Sequence, residues 1–220
     1  MNSAARTPRR LVGVMFDLDG TLADSFTDIA AALNLTRADF GLAPLPYEKV
    51  RETVGSGSTY LVKTLVPVPE SEFKRAYESY QDHYEAHLLD HTRLYPGVPE
   101  VLRHFAGRPL AVVTNKNQRF AEAVLKGLGI RDHFQLVLGG DALARRKPDP
   151  LPVRTVLERF NLPAAESALV GDGLHDMEAA HGAGVIAVAV TTGVESRETL
   201  QAASPAYLMA SLSELPGLFD

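Results

Sequence analysis

The chain has 220 residues, 45% apolar and 22% charged, enough to bury one large core or a core plus a smaller insert. A net charge of −5 argues against nucleic acid or an anionic membrane as partner, and no apolar run approaches the ~18 residues of a membrane span. Cysteine is absent, which excludes a disulfide scaffold, a thiolate metal site and a cysteine nucleophile, and fits a reducing, cytoplasmic compartment.

Residues 1–10, "MNSAARTPRR", have three arginines and no apolar stretch before a cleavage site, so they read as a flexible basic tail and not a signal peptide. Next comes "LVGVMF" (11–16), the first of five short, continuous apolar runs. The others are 110–114, 134–140, 166–172 and 185–190. Continuous rather than alternating runs predict strands covered on both faces. Helical patterns lie between them at 117–128, 150–160 and 175–183. Strand–helix alternation predicts an α/β fold with a doubly wound parallel sheet.

Residues 26–92 break that rhythm and are helical in pattern. A helix is predicted in "FTDIAAALNLTRADFG", closed by Gly41. Another opens from the Gly-rich loop of "VGSGSTYLVKTLV" (54–66). A third carries Phe73, Tyr77, Tyr80, Tyr84 and Leu88 on one stripe, which reads as core packing. The expected organisation is a small helical cap domain over 26–92, inserted in a core domain formed by 11–25 and 93–220.

In an open parallel sheet, ligands bind beyond the carboxyl ends of the strands. Asp17 and Asp19 end the first run, Thr114 the second and Asp172 a later one. Lys147 lies in "RRKPDP", and Asp176 follows four residues after Asp172. Asp176 serves equally well as a helix cap. Two carboxylates ending one buried strand repel each other and are costly to desolvate. A divalent cation and a phosphorylated substrate would offset that cost, and an all-oxygen donor set suits Mg2+. Within such a site a carboxylate can attack phosphorus, a second can transfer the leaving-group proton, and Thr114 and Lys147 can donate to the phosphoryl oxygens. Gly20 permits a tight backbone exit after the acids.

"FDLDGTLADS", "VVTNK", "KPDP" and "GDGLHDMEAAHGAG" resemble, in order, the four motifs of the haloacid dehalogenase superfamily, and the resemblance covers nearly the whole chain. It implies a Rossmann-like core with a cap inserted after the first motif. It implies Asp17 as nucleophile and Asp19 as general acid/base, with Thr114, Asn115 and Lys147 binding phosphate. Mg2+ would be held by Asp17, by Asp19 through its main-chain carbonyl, and by Asp172. Asp176 would stand behind them, holding a metal-bound water or positioning Lys147. Gly173 departs from the Ser or Thr usual after the first acid of the fourth motif and puts the orientation of Asp172 in question. His175 reads as an exposed histidine at the rim.

Retention of Asp19 implies a phosphatase, since the dehalogenase and phosphonatase branches lack that acid. "TNK", "VGSGSTYLVKTL" and "YPGVPEVLRHF" (95–105) are similar to the phosphoglycolate phosphatase branch. The implied partner is a small phosphorylated metabolite hydrolysed through an aspartyl-phosphate. Pyrophosphatase, nucleotidase, sugar-phosphate phosphatase and phosphomutase activities stay open, as does an idle binding module. In the cap, Gly55, Ser56, Gly57 and Ser58 are candidates for specificity, with Lys63 behind them. A glycine hinge or helix cap accounts for the loop equally well.

Overall fold

The computed structural model describes residues 10–219. Of the basic tail expected over 1–10, all but Arg10 therefore lies outside the described residues. In chain order the elements are β1 (Gly13–Phe16), β2 (Ala23–Asp24), α1 (Phe26–Asp39), α2 (Tyr47–Arg51), α3 (Ser58–Leu65), α4 (Glu70–His87) and β3 (Arg93–Leu94). There follow α5 (Val98–His104), β4 (Leu110–Val113), α6 (Gln118–Gly127), β5 (Leu136–Leu138), α7 (Leu151–Phe160) and β6 (Ser167–Gly171). The chain ends with α8 (Leu174–Ala183), β7 (Ile186–Val190), α9 (Arg197–Ala202), β8 (Tyr207–Met209) and α10 (Leu215–Leu218).

Six strands form one parallel sheet in the order β5-β4-β1-β6-β7-β8. Strand β1 is central because its residues can be buried on both faces. Val14 and Phe16 join one apolar cluster while Met15 joins the other, as the two-residue period of a strand requires. The strand order reverses at β1, which has β4 on one side and β6 on the other. Register pairs Phe16 with Val112 on β4 and with Val170 on β6. Asp17, Thr114 and Asp172 therefore leave the sheet at one edge, over its topological switch point. This is the α/β architecture expected from the apolar runs.

Helices α1 to α4 lie between β1 and β4 in sequence, and α1 packs along α4. The chain leaves for these helices through β2 and returns through β3, and those two strands pair antiparallel, Ala23 with Leu94 and Asp24 with Arg93. The sequence reading missed this ribbon, along with β8, α2, α5, α9 and α10. Each is short, so too few residues carry a period. No helix among the described residues is long and apolar enough to cross a membrane.

Candidate active site

Asp17 follows β1 directly, and its N–H still donates to Val170 O at 2.9 Å. Its carboxylate is thereby fixed at the sheet edge. Oxygen atoms of Asp17, Asp172 and Asp176 lie within 4.8 Å of one another. One ammonium serves all this charge. Lys147 Nζ is 3.0 Å from Asp17 Oδ1 and 2.5 Å from Asp176 Oδ1. Burial, then the Asp176 and Asp19 charges, raise the Asp17 carboxyl to about 6 against the pull of Lys147. Burial followed by the charges of Asp17 and Asp176 pushes Asp172 well above the usual carboxylate range. Burial alone would lower Lys147, but Asp17 and Asp176 raise it, so it stays a cation. Three carboxylates around one ammonium are under-compensated, and their all-oxygen donor set fits a hard divalent cation such as Mg2+.

Asp172 is aimed by a residue that sequence reasoning missed. Thr21 Oγ1 donates to Asp172 Oδ1 at 2.7 Å, leaving Oδ2 for another ligand. Two glycines make the space. Gly20 has φ +85°, and a Cβ there would fall 2.3 Å from Asp172 Oδ2; at Gly193 the distance would be 1.6 Å. Gly173 thus does not leave Asp172 without a guide. Its own N–H donates to Asp176 Oδ2 at 3.1 Å, and Asp176 thereby joins the first turn of α8 to Lys147. Asp176 both caps the helix and positions the lysine.

Asp19 points away from the three-acid cluster. Lys116 Nζ donates to its two oxygens at 2.9 and 3.0 Å, and Ser25 Oγ donates to Oδ1. Its carboxylate is thus not one of the three that cluster. Lys116 is the second residue that sequence reasoning missed. It stood in the quoted "VVTNK" as a mere identifier, although a lysine two residues beyond a strand-end threonine was the available signal.

The Asn115 side-chain amide is engaged outside the acid cluster. Its Nδ2 donates to Gly55 O at 2.8 Å and to Lys147 O at 2.9 Å, and its buried Oδ1 lacks a partner. Flipping the amide would set oxygen against both carbonyls, so the side chain ties the insert to the Lys147 loop. Ser58 Oγ likewise donates to Asn117 Oδ1 at 2.5 Å and lies 3.0 Å from the Tyr77 hydroxyl, a tie between α3 and the start of α6. Gly57, at φ +88°, sits where a Cβ would come 3.1 Å from Asn115 O. Ser56 borders a cavity with Lys147 and His175.

Lys63 is not near the site. It is 3.5 Å from Glu70 and 63% exposed. His175 is not at an exposed rim. It is half-buried in the first turn of α8 and borders the same cavity as Asp17. Burial, with help from Lys147, lowers its pKa, which favours the neutral imidazole. On the α4 stripe Tyr80, Tyr84 and Leu88 are buried as expected. Tyr80 and Tyr84 also line a cavity beside Lys116 and Asp19.

With this geometry in view, comparison with known proteins is specific. Residues 14–190 match the profile of the haloacid dehalogenase-like hydrolases. A phosphoglycolate phosphatase of Chromobacterium violaceum is 38% identical over 215 residues, covering 94% of this chain and 97% of its own. The phosphoglycolate phosphatase of Neisseria meningitidis serogroup A is 39% identical, covering 92% of this chain and 91% of its own. Among solved structures, a predicted phosphoglycolate phosphatase from Haemophilus somnus superposes with a TM-score of 0.87 at 30% identity. It covers 96% of this chain and 97% of its own.

Proposed function

The chain belongs to the haloacid dehalogenase-like hydrolases, and on that premise we propose that it is a Mg2+-dependent phosphatase of small phosphomonoesters with Asp17 as nucleophile. The observation that carries the reading is the crowded strand edge, where Asp17, Asp172 and Asp176 cluster and Lys147 pairs with Asp17 and Asp176. Asp17 attacks phosphorus as the bond to the leaving oxygen breaks, giving an aspartyl-phosphate. Asp19 gives its proton to that leaving oxygen. It then takes one from a water whose oxygen attacks phosphorus and restores the Asp17 carboxylate. Lys147 and the Thr114 hydroxyl donate to the remaining phosphoryl oxygens as charge develops. When bound, Mg2+ offsets the repulsion between the Asp17 carboxylate and the incoming phosphate. Asp17 and Asp172 would hold it together with the Asp19 main-chain carbonyl.

Residues 26–92 then act as a cap that excludes water from this chemistry. Three ties across the gap support that role: Asn115 to Gly55, Ser58 to Asn117, and Arg51 to Gly193 O. The names of the relatives favour 2-phosphoglycolate as substrate. Phosphate release from 2-phosphoglycolate is the test. Turnover should require Mg2+, vanish in EDTA and return when Mg2+ is restored. Wild-type protein acid-quenched during turnover should carry a phosphate-mass adduct on the Asp17 peptide. Full turnover in EDTA, or an adduct on another residue, would overturn the reading.

A further inference from the structure

The Lys116 side chain is only 6% exposed. Burying an ammonium costs several kcal/mol even after relaxation, so its place needs a reason. Besides Asp19, it has the Tyr84 ring, whose centroid is 4.6 Å from Nζ. Tyr84 is 1% exposed and its hydroxyl has no hydrogen-bond partner, although a buried phenol ordinarily finds one. Both side chains line a cavity between the insert and the core, whose other walls mix apolar groups such as Ile29, Leu61 and Phe120 with polar ones such as Ser58, Thr114 and Asn117. Among the described residues lining it, Lys116 is the sole basic one.

Two cavities meet at Asp17 and Asp19. The larger is bordered by Lys147, Asp172 and Asp176 and so belongs to phosphate and cation. A leaving oxygen that reaches Asp19 directs the rest of the leaving group into the other, beside Lys116. That cavity has a volume of about 50 Å3, against roughly 10–15 Å3 for one water. It has room for a few non-hydrogen atoms.

Resting on the phosphatase reading above, we propose that Lys116 and the Tyr84 hydroxyl determine specificity by binding the carboxylate of a short acidic alkyl phosphate. The ammonium has three N–H donors, so it can hold Asp19 and the substrate carboxylate together. The phenol supplies the second hydrogen bond and gains the partner it otherwise lacks. An uncharged leaving group of equal size would leave that hydroxyl unpaired, and this is what discriminates strongly between near-isosteres.

The test compares kcat/KM for 2-phosphoglycolate and for ethyl phosphate, in which a methyl group replaces the carboxylate. Wild type should favour 2-phosphoglycolate by roughly 100-fold or more. Lys116→Met should bring the ratio close to one, and Lys116→Arg should restore part of it. Tyr84→Phe, which removes one oxygen from a ring that stays packed, should lower the ratio by about tenfold even if Lys116→Met folds poorly by circular dichroism. Parallel losses on both substrates in Lys116→Met and Tyr84→Phe would overturn the proposal and leave Lys116 as a support for Asp19. Wild-type turnover without preference would overturn it too, while leaving the phosphatase reading intact. Absence of Mg2+-dependent turnover on any phosphomonoester would overturn that reading itself.

Discussion

Asp28 and Asp172 are almost equally hidden, at 1% and 4% exposure, yet their surroundings are opposite. Asp28, in the first turn of α1, accepts from four donors: the His91 and Thr92 main-chain N–H groups, the Thr92 hydroxyl and His91 Nδ1, at 2.7–3.0 Å. Burial by itself would raise its carboxyl, but these bonds hold it below the ordinary value. Asp172 has one hydroxyl and two neighbouring carboxylates, and is pushed the other way. Burial sets the cost of a carboxylate, and its partners decide whether the fold repays that cost. Around Asp28 it does, so the acid holds the chain's return from the helical insert. Around Asp172 it does not, which leaves binding energy for something that arrives from solution.

The contrast fails most visibly if the two acids prove interchangeable. Asp17→Asn, in the unpaid cluster, should lower kcat by at least about 1,000-fold while circular dichroism stays unchanged. Asp28→Asn should keep kcat/KM within about threefold. Comparable activity losses in both would dissolve the distinction.

The second measure is calorimetry in EDTA. Asp172→Asn keeps an acceptor for Thr21 and removes one of three repelling charges. The metal-free protein should melt higher by about 1 kcal/mol of stability, and the upward shift that Mg2+ gives wild type should be lost. Asp28→Ala should do the reverse. It strands buried main-chain donors and should cost roughly 2–3 kcal/mol, with the Mg2+ shift retained. A lower melting point for Asp172→Asn in EDTA would mean the cluster is satisfied without a cation.

The smallest effect concerns pH. The folded Asp28 carboxyl lies below its unfolded value of about 3.9, so the unfolded chain takes up its proton first. The stability due to Asp28 is fully present above that value and drains away as pH falls through it and then through the depressed folded one. Asp28→Asn should therefore flatten the stability curve below about pH 4. An unchanged slope there would show that other groups control acid unfolding.

Only part of this contrast was legible in sequence. Asp17, Thr114 and Asp172 could be read because each ends a continuous apolar strand, and strand ends share an edge whatever the details. Lys147 could be read from its Pro-rich loop and Asp176 from its spacing four residues after Asp172. Thr21, Lys116 and Asp28 could not, since their roles depend on partners 151, 97 and 63 or 64 residues away. The bonds of the Asn115 amide were hidden for a related reason: the Gly55 carbonyl reaches it only once the insert has folded back. Strand β8 went unseen because Tyr207–Met209 is too short to show a pattern.

The ribbon of β2 and β3 has a consequence for how such a molecule can change over generations. Because Ala23 pairs with Leu94, the insert begins and ends about 5 Å apart. A segment whose two ends already touch demands nothing of the scaffold in span or direction. Whatever is spliced there, shorter, longer or differently folded, meets the same doorway and leaves the six strands in register. The strand-end acids and the inserted helices can therefore drift at different rates, and recombination at this neck can exchange the insert without rebuilding the sheet.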